Sequence, residues 1–245
     1  MRRTVNVNKK RNSIPTIDAI MNTNVILPSK FDVSKVKFGS PKNLDNGGKM
    51  ISVNYDGKQF IVQTPKMRCP YGLNKWDNEK GGPPKLSIDM SFGKYEEDAK
   101  LGSFHEMMTE LNRMFIKEAL DNSTAWFKKK YSSADVIEAL YTSLIKVSKD
   151  KTTGEPTNVY PPTFKMSVGN NGNCEVYDGN RNRIEMDSVD LKGADLQAII
   201  QCNGVWIAGG KFGCTWRLVQ LQVFPNQTKL PRFAFKQDEE YDYDD

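Results

Sequence analysis

The chain has 245 residues, with 35 lysine and arginine residues against 30 aspartate and glutamate residues and one histidine. No run approaches the ~18 uncharged residues of a membrane-spanning helix, and no apolar stretch follows Arg2 and Arg3, so we expect an intracellular protein without a secretory signal. Four scattered cysteines and a single histidine, His105, do not have the spacing of a zinc site or supply the usual catalytic pairs. We therefore predict no metal, no cofactor, no membrane association and no enzymatic activity.

The charge is unevenly distributed along the chain. Six of the acidic residues lie within positions 238–245, so the remainder carries 35 basic against 24 acidic residues. A body this basic indicates a polyanionic partner. We expect a basic arm over residues 1–30, one elaborated domain over 31–230 and an acidic, disordered tail over 231–245. The charged and aromatic residues of the tail are Asp238, Glu239, Glu240, Tyr241, Asp242, Tyr243, Asp244 and Asp245.

The first strong pattern is a hairpin. Two runs of alternating residues, 49–55 and 58–64, flank Asp56-Gly57, a pair typical of a type I′ turn with both residues at positive φ. In this register the apolar residues of both runs share one buried face. The expected pairs are Tyr55 with Lys58, Val53 with Phe60 and Ile51 with Val62.

An acid-free loop over residues 66–76 follows, and it interleaves cations with aromatic rings. A strand over 85–92 comes next, because every second residue is apolar. Cations that track phosphates, placed beside rings on which bases stack, are what sequence-tolerant binding of single-stranded nucleic acid requires. The candidate binding residues in this region are Lys66, Arg68, Tyr71, Lys75, Trp76 and Lys85.

The apolar spacing changes to a helical period between residues 103 and 146. Ser103 and Glu106 have the spacing of a capping box, which predicts a helix start at Ser103. The stripe that follows predicts a core-facing side made of Phe104, Met107, Met108, Leu111, Phe115 and Ala119. A second helix is expected from Ser132 or Ser133, with Val136, Ile137, Leu140, Tyr141 and Leu144 facing inward.

Strands return after the helices. Runs at 164–168 and 174–177 precede a long closing hairpin, in which 196–208 and 211–224 flank Gly209-Gly210. The order of strands, helical insertion and strands predicts a mainly β fold with a helical insertion, an OB-fold-like Greek-key antiparallel barrel. A β-sandwich with an inserted helical pair is the alternative.

The second strand of this hairpin carries further candidate binding residues. Its alternation places Trp216 with two glutamines on the solvent side and Arg217 with the apolar series. A bulge at Gly204 or Gly213 would shift the register by one residue and reverse both assignments. The candidates in the hairpin are Lys211, Phe212, Trp216 and Arg217.

Three segments carry a family resemblance. The hairpin VWIAGGKFGCTWRLVQLQVF, the segment VQTPKMRCPYGL and the acidic C-terminus resemble the single-stranded-DNA-binding proteins of large nucleocytoplasmic DNA viruses of algae. That family is similar in turn to the replication proteins of short-tailed phages that bind single strands and have acidic tails. The resemblance implies an OB barrel with a helix between strands, and a protein that coats unwound strands during viral DNA replication and recombination.

The same resemblance implies a location and partners. We expect a viral replication compartment in the nucleus or cytoplasm, viral replication proteins that contact the tail, and possible homo-oligomers. Phage tails of this kind end in an aromatic residue, whereas this chain ends in Tyr243-Asp244-Asp245. The tail could also mimic DNA and compete for the protein's own groove.

Two other function classes remain open from the sequence. A virion structural or DNA-packaging protein could share the basic arm and the β body. A nuclease would need a metal site, for which Asp187, Asp190 and Lys192 form the one weak candidate set.

Overall fold

A computed structural model describes residues 24–78, 81–157, 159–169 and 174–224 of the chain. The expected tail and most of the expected arm lie outside the described residues. Strands dominate the described ranges, and they are numbered here in chain order. The first ten are β1 (Val25–Ile26), β2 (Val36–Phe38), β3 (Lys42–Asn43), β4 (Lys49–Ile51), β5 (Val53–Tyr55), β6 (Lys58–Gln59), β7 (Ile61–Gln63), β8 (Met67–Arg68), β9 (Leu73–Trp76) and β10 (Lys85–Ser91).

The helices follow β10 and are succeeded by the remaining strands. They are α1 (Ala99–Asp121), α2 (Ser123–Phe127) and α3 (Ala134–Leu140). The later strands are β11 (Tyr141–Thr142), β12 (Ile145–Lys146), β13 (Ser148–Lys149), β14 (Pro156–Thr157), β15 (Thr163–Val168), β16 (Glu175–Tyr177), β17 (Arg183–Ile184), β18 (Asp195–Ala208) and β19 (Lys211–Phe224). Short 3₁₀ turns lie at Pro28–Lys30, Val33–Lys35 and Met186–Ser188.

Five strands pair in a circuit. The strands β18 and β19 pair along their whole length, β19 pairs with β15, β15 with β10, β10 with β8, and β8 again with β18. This circuit suits a small Greek-key barrel of the OB type, and the predicted mainly β class with a helical insertion is confirmed. The sheet is mixed rather than purely antiparallel, because β15 and β16 both run parallel to β19. Parallel neighbours require crossover connections, which an alternation pattern does not reveal.

The hairpin expected at residues 49–64 is confirmed at its tip and wrong further along. Asp56 and Gly57 have φ values of 51° and 72°, and Tyr55 pairs with Lys58 as expected. Beyond this tip the two arms separate, because each finds a partner on the long strand β18. Ile51 pairs with Val205 and Val62 pairs with Ile200, so Ile51 and Val62 are not paired with each other. The expected buried face is nevertheless present, since Ile51, Val53, Tyr55, Phe60 and Val62 are all buried.

The first helix begins earlier than the capping-box spacing predicted. The Asp98 carboxylate accepts hydrogen bonds from the backbone N–H groups of Lys100 and Leu101, at 2.8 and 3.1 Å, so Asp98 is the N-cap. Ser103 already lies inside the first turns, where its hydroxyl donates to the Ala99 carbonyl. The predicted apolar stripe is confirmed, because all six of its residues are buried against the sheet.

The second predicted helix is shorter than expected, and an additional helix, α2, precedes it. Within α3 only Ile137 is fully buried, whereas Val136 is 44% exposed, so its predicted inward orientation is wrong. Tyr141 belongs to β11, which runs parallel to the start of β19. Leu144 is buried as expected.

The closing hairpin is confirmed, and its register contains two irregularities. Leu218 lies opposite Ile200 and Gln220 opposite Ile199, so Val219 is an extra residue on β19. A second shift makes Asn203 an extra residue on β18, next to Gly204 at φ 105°. A Cβ at Gly204 would collide with the Ile51 carbonyl oxygen, so glycine is required where β4 crosses close to β18.

The bulge at Val219 reverses the faces on the first half of β19. Trp216 and Leu218 share the buried side with Leu221 and Val223, while Arg217 is exposed. The alternation read without a bulge therefore assigned Trp216 and Arg217 to the wrong sides.

Candidate nucleic-acid interface

The strands β9 and β10 form a ribbon with one polar side. Trp76 lies opposite Lys85, and Asn74 lies opposite Ser87. Residues directly opposite each other in an antiparallel pair point to the same face. Ile88 and Met90 are fully buried, so the intervening residues of β10 belong to the outward side. This side carries Trp76, a residue that is 61% exposed.

The next strand, β15, extends this polar side. Phe164, Met166 and Val168 point into the core, which places Lys165 on the outward side, opposite Asp89 of β10. The Lys165 ammonium lies 5.8 Å from the centroid of the Trp76 ring and 4.0 Å from Asp89 Oδ2. A cation and an exposed indole are therefore neighbours above the sheet.

Three more cations border the same side. Arg217 lies beside Ser167 of β15 and donates a 2.8 Å hydrogen bond to Gln201 Oε1. Arg68 of β8 lies opposite Ser91 and is 4.0 Å from the Asp195 carboxylate, with half of its side chain exposed. Lys146 of β12 lies opposite Thr163. We call this surface the outer face, and its cations are Arg68, Lys85, Lys146, Lys165 and Arg217.

Burial and a neighbouring positive charge both affect one pKa on this face. The pKa of Lys146 is lowered by burial and then by the nearby Lys165 ammonium, while Asp89 acts in the opposite direction. Two ammonium groups that repel each other are stabilised when an anion binds between them. The geometry thus combines an anion-attracting patch with a flat aromatic ring.

The structure brings four of the predicted binding residues together on the outer face: Arg68, Trp76, Lys85 and Arg217. Among the other exposed candidates Lys66 borders this face. Its ammonium lies 3.8 Å from the centroid of the Phe224 ring, Phe224 lies opposite Asp195, and Asp195 lies opposite Arg68. The remaining exposed candidates are elsewhere. Lys75 lies opposite Leu86 on the other side of β9. Tyr71 is exposed in the loop before β9, and Lys211 is exposed at the tip of the closing hairpin.

Phe212 and Trp216 are core residues, so the expectation that their rings offer stacking faces is wrong. Phe212 is fully buried, and its ring lies 5.1 Å from the ring of Tyr141 and 5.4 Å from that of Phe127. Trp216 is 1% exposed and packs edge-on against Phe60 at 5.1 Å. Both rings are buried by the helical insertion and the first strands, which are distant in sequence.

Lys146 and Lys165 were not predicted as site residues. Lys165 had a readable signal, because its apolar neighbours in the run 164–168 require it to point outward. The sequence did not show that β15 lies beside β10. Lys146 had no such signal, since its two-residue strand β12 follows directly on the helical region.

The residues of the weak nuclease-like set lie together at one cavity. Asp187, Asp190 and Lys192 line a cavity of about 350 Å³ together with Tyr71 and Gly72. Within the described ranges no group of three or more histidine, cysteine, aspartate or glutamate side chains could hold a metal ion. The helices of the same ranges include none that is long and apolar enough to cross a membrane.

Sequence comparison identifies a family and a viral relative. Residues 98–245 match the model of a family described as "Family of unknown function (DUF5871)". The chain is also 25% identical, over 178 residues, to the uncharacterized protein L291 of Acanthamoeba polyphaga mimivirus. The match covers 72% of this chain but only 28% of that relative.

Two similar solved structures are phage proteins. One is the single-stranded DNA-binding protein from bacteriophage Enc34 in complex with ssDNA, with 14% identity, a TM-score of 0.43 and coverage of 84% of this chain and 98% of that one. Another is gp2.5, a single-stranded DNA-binding protein encoded by bacteriophage T7, with 12% identity, a TM-score of 0.45 and coverage of 76% and 99%.

Proposed function

The chain belongs to the DUF5871 family, and we propose that it binds single-stranded DNA of any sequence on the outer face, without acting as an enzyme. The proposal gives it the same ligand as the phage proteins of similar fold. Its main support is Trp76, an indole that is 61% exposed on a sheet, beneath the Lys165 ammonium and opposite Lys85.

A large exposed indole is costly to leave in water and is suited to a flat apolar ligand. An unpaired base can stack on it, and such stacking contributes about 1–3 kcal/mol per base. In a duplex both sides of each base are already covered by neighbouring bases. Trp76 therefore favours single strands.

The five cations of the outer face supply the other half of the interaction. They come from five different strands, β8, β10, β12, β15 and β19, and surround the exposed ring. Phosphates of a strand lying across these strands would meet successive ammonium and guanidinium groups. Because phosphate contacts release counterions, affinity should fall steeply with salt.

The direct test is a salt titration of binding to oligo-dT and to duplex DNA of equal length, measured by fluorescence anisotropy. The proposal expects tighter binding of oligo-dT at every salt concentration. Equal affinity for the duplex would contradict it. A preference for single-stranded RNA over DNA would keep the interface but change the ligand.

The acidic tail has a proposed role in the same function. Residues 238–245 lie outside the described residues, but their six carboxylates approximate the charge density of a short phosphate backbone. A tethered segment reaches a high effective concentration near its own domain. The tail would thus compete with DNA for the outer face, or contact replication proteins when DNA displaces it.

Deleting residues 238–245 should tighten binding to oligo-dT most at low salt, with the difference shrinking as salt screens the charges. A scrambled tail of equal charge, with Tyr241 and Tyr243 replaced, should restore only part of the inhibition. Unchanged affinity at low salt would exclude competition by the tail.

We propose a viral setting for this function, which the mimivirus relative supports. We place the protein in viral DNA replication and recombination, where it would coat and protect unwound strands inside the infected cell. The chain spans only 28% of the length of that relative, so this setting is a proposal about the whole protein.

A further inference from the structure

Two side chains on the outer face have the wrong charge for a phosphate, and Asp195 is already close to Arg68 at the edge of that face. Asp89 lies in the middle of this face, opposite Lys165, and its carboxylate accepts a 2.8 Å hydrogen bond from Asn74 Nδ2. Its side chain is 12% exposed. A carboxylate at this position repels phosphate groups, so a role in binding DNA must involve a different part of the nucleotide.

A neighbouring hydroxyl has an unused hydrogen-bonding capacity. Ser87 Oγ is buried, and it has no hydrogen-bond partner among the described residues. The hydroxyls of the other two outward serines form hydrogen bonds with backbone groups. Ser91 Oγ accepts from the Gly93 N–H, and Ser167 Oγ donates to the Trp216 carbonyl. A buried polar group without a partner is costly, and a ligand or water normally satisfies it.

These two groups lie next to the stacking position. Ser87 lies opposite Asn74, and Asn74 precedes Trp76 by two residues on the same side of β9. Asp89 follows Ser87 by two residues on the same side of β10. A base stacked on Trp76 would therefore bring its edge toward the hydroxyl of Ser87 and the carboxylate of Asp89.

We propose that Asp89, assisted by Ser87, accepts a hydrogen bond from the exocyclic amino group of a base held at Trp76. The inference rests on the proposed function and adds base preference at one position of the bound strand. Carboxylates accept from the amino group of cytosine in protein–DNA complexes. Thymine and uracil have a carbonyl oxygen at the same position, which the carboxylate would repel.

The matched ligands are oligo-deoxycytidine and oligo-deoxyuridine of equal length, because position 4 of uracil is a carbonyl where cytosine has its amino group. Competition against a labelled strand near neutral pH gives both affinities. The full-length chain should prefer oligo-dC by about fivefold, the effect of one net hydrogen bond. Equal affinities for the two strands would overturn the inference and leave the proposed function intact, whereas binding of neither would overturn the proposed function itself.

Variants distinguish direct recognition of the base by Asp89 from a role in which Asp89 only positions its neighbours. Asp89→Asn keeps the shape of the side chain and should bring the dC-to-dU ratio close to one, while affinity for oligo-dU rises as a negative charge is removed. If Asp89 only orients Asn74 and Lys165, the variant changes both affinities by the same factor and keeps the ratio, which would contradict the inference.

Two further variants complete the test. Lys85 lies on the same face, opposite Trp76. Lys85→Gln should lower the affinities for oligo-dC and oligo-dU by the same factor and leave their ratio unchanged. Ser87→Ala removes only the unpartnered hydroxyl and should reduce the ratio without altering charge. If circular dichroism shows that Asp89→Asn does not fold, Ser87→Ala provides the decisive comparison. An unchanged dC-to-dU ratio in Ser87→Ala would then overturn the proposal.

Discussion

Two strands of the molecule each carry a tryptophan beside a cation, and they use the pair in opposite ways. In β9 the sequence is Lys75-Trp76, and the indole is 61% exposed. In β19 it is Trp216-Arg217, and the indole is 1% exposed while the arginine lies on the outer face. Adjacent strand residues point to opposite sides, so the indole takes the outer side in β9 and the core side in β19. Its neighbouring cation lies on the other side in each strand, and Lys75 is exposed there as well.

The difference shows that composition does not decide which of two neighbouring residues is exposed. Phe60 and Phe164 surround Trp216 on the core side of β19. Trp76 is the last residue of β9, opposite Lys85, and is largely exposed. Position relative to the core therefore gives the two tryptophans different environments.

The largest expected contrast is in stability. Trp216→Ala should lower the free energy of unfolding by about 3–5 kcal/mol, because it leaves a cavity among aromatic side chains. Trp76→Ala, an exposed substitution, should lower it by less than about 0.5 kcal/mol. Urea unfolding followed by circular dichroism measures both. Equal losses would show that the two indoles do not differ in burial as described.

Binding should show the reverse contrast. Trp76→Ala should weaken binding of oligo-dT by about 1–3 kcal/mol, since one stacked base is lost. The slope of affinity against salt should stay the same, because no cation is removed. Trp76→Phe is the matched control and should retain most of the affinity. A wild-type affinity in the alanine variant would place the strand elsewhere.

The cations provide a finer contrast between the two sides of β9. Lys165→Gln, Arg217→Gln and Arg68→Ala should each flatten the salt dependence by about 0.7 to 1 unit, as expected for one lost phosphate contact. Lys75→Gln removes the same charge on the opposite side and should leave the slope unchanged. Equal changes of the salt slope in all four variants would indicate general electrostatic attraction of DNA to the protein rather than contacts between phosphates and the outer face.

The smallest expected effect concerns pH. The pKa of Lys146 is lowered by burial and by Lys165, so Lys146 loses its proton before an ordinary lysine as the pH rises. A bound phosphate favours the charged form, so affinity should decline with rising pH and binding should take up a proton there. Lys146→Arg keeps its charge and should remove this decline. Identical profiles of affinity against pH for the unmodified protein and Lys146→Arg would contradict the role of Lys146.

Much of the local structure could be predicted from the sequence. The alternation of residues 85–92, the Asp56-Gly57 turn, the buried stripe of α1 and the pairing of the long closing hairpin were all readable, because each depends on neighbours within a few residues or on one tight turn. The mainly β class followed from these elements.

The candidate site was only partly predictable, because it depends on contacts between distant segments. Nothing local indicates that β15 lies between β10 and β19, which is what brings Lys165 to Trp76. The extra residue Val219 reverses the faces of β19, although its sequence gives no sign of a bulge. The burial of Phe212 likewise depends on α2 and β11, which pack against it from elsewhere in the chain.

The most direct measurement of the central claim is tryptophan fluorescence during titration with oligo-dT. Trp126, Trp206 and Trp216 are buried or half-buried, so stacking of a base on Trp76 should account for the quenching. We predict clear quenching by oligo-dT, weaker quenching by duplex DNA at the same salt, and its loss in Trp76→Phe while anisotropy still reports binding. Undiminished quenching in Trp76→Phe would contradict the assignment of the outer face as the binding site.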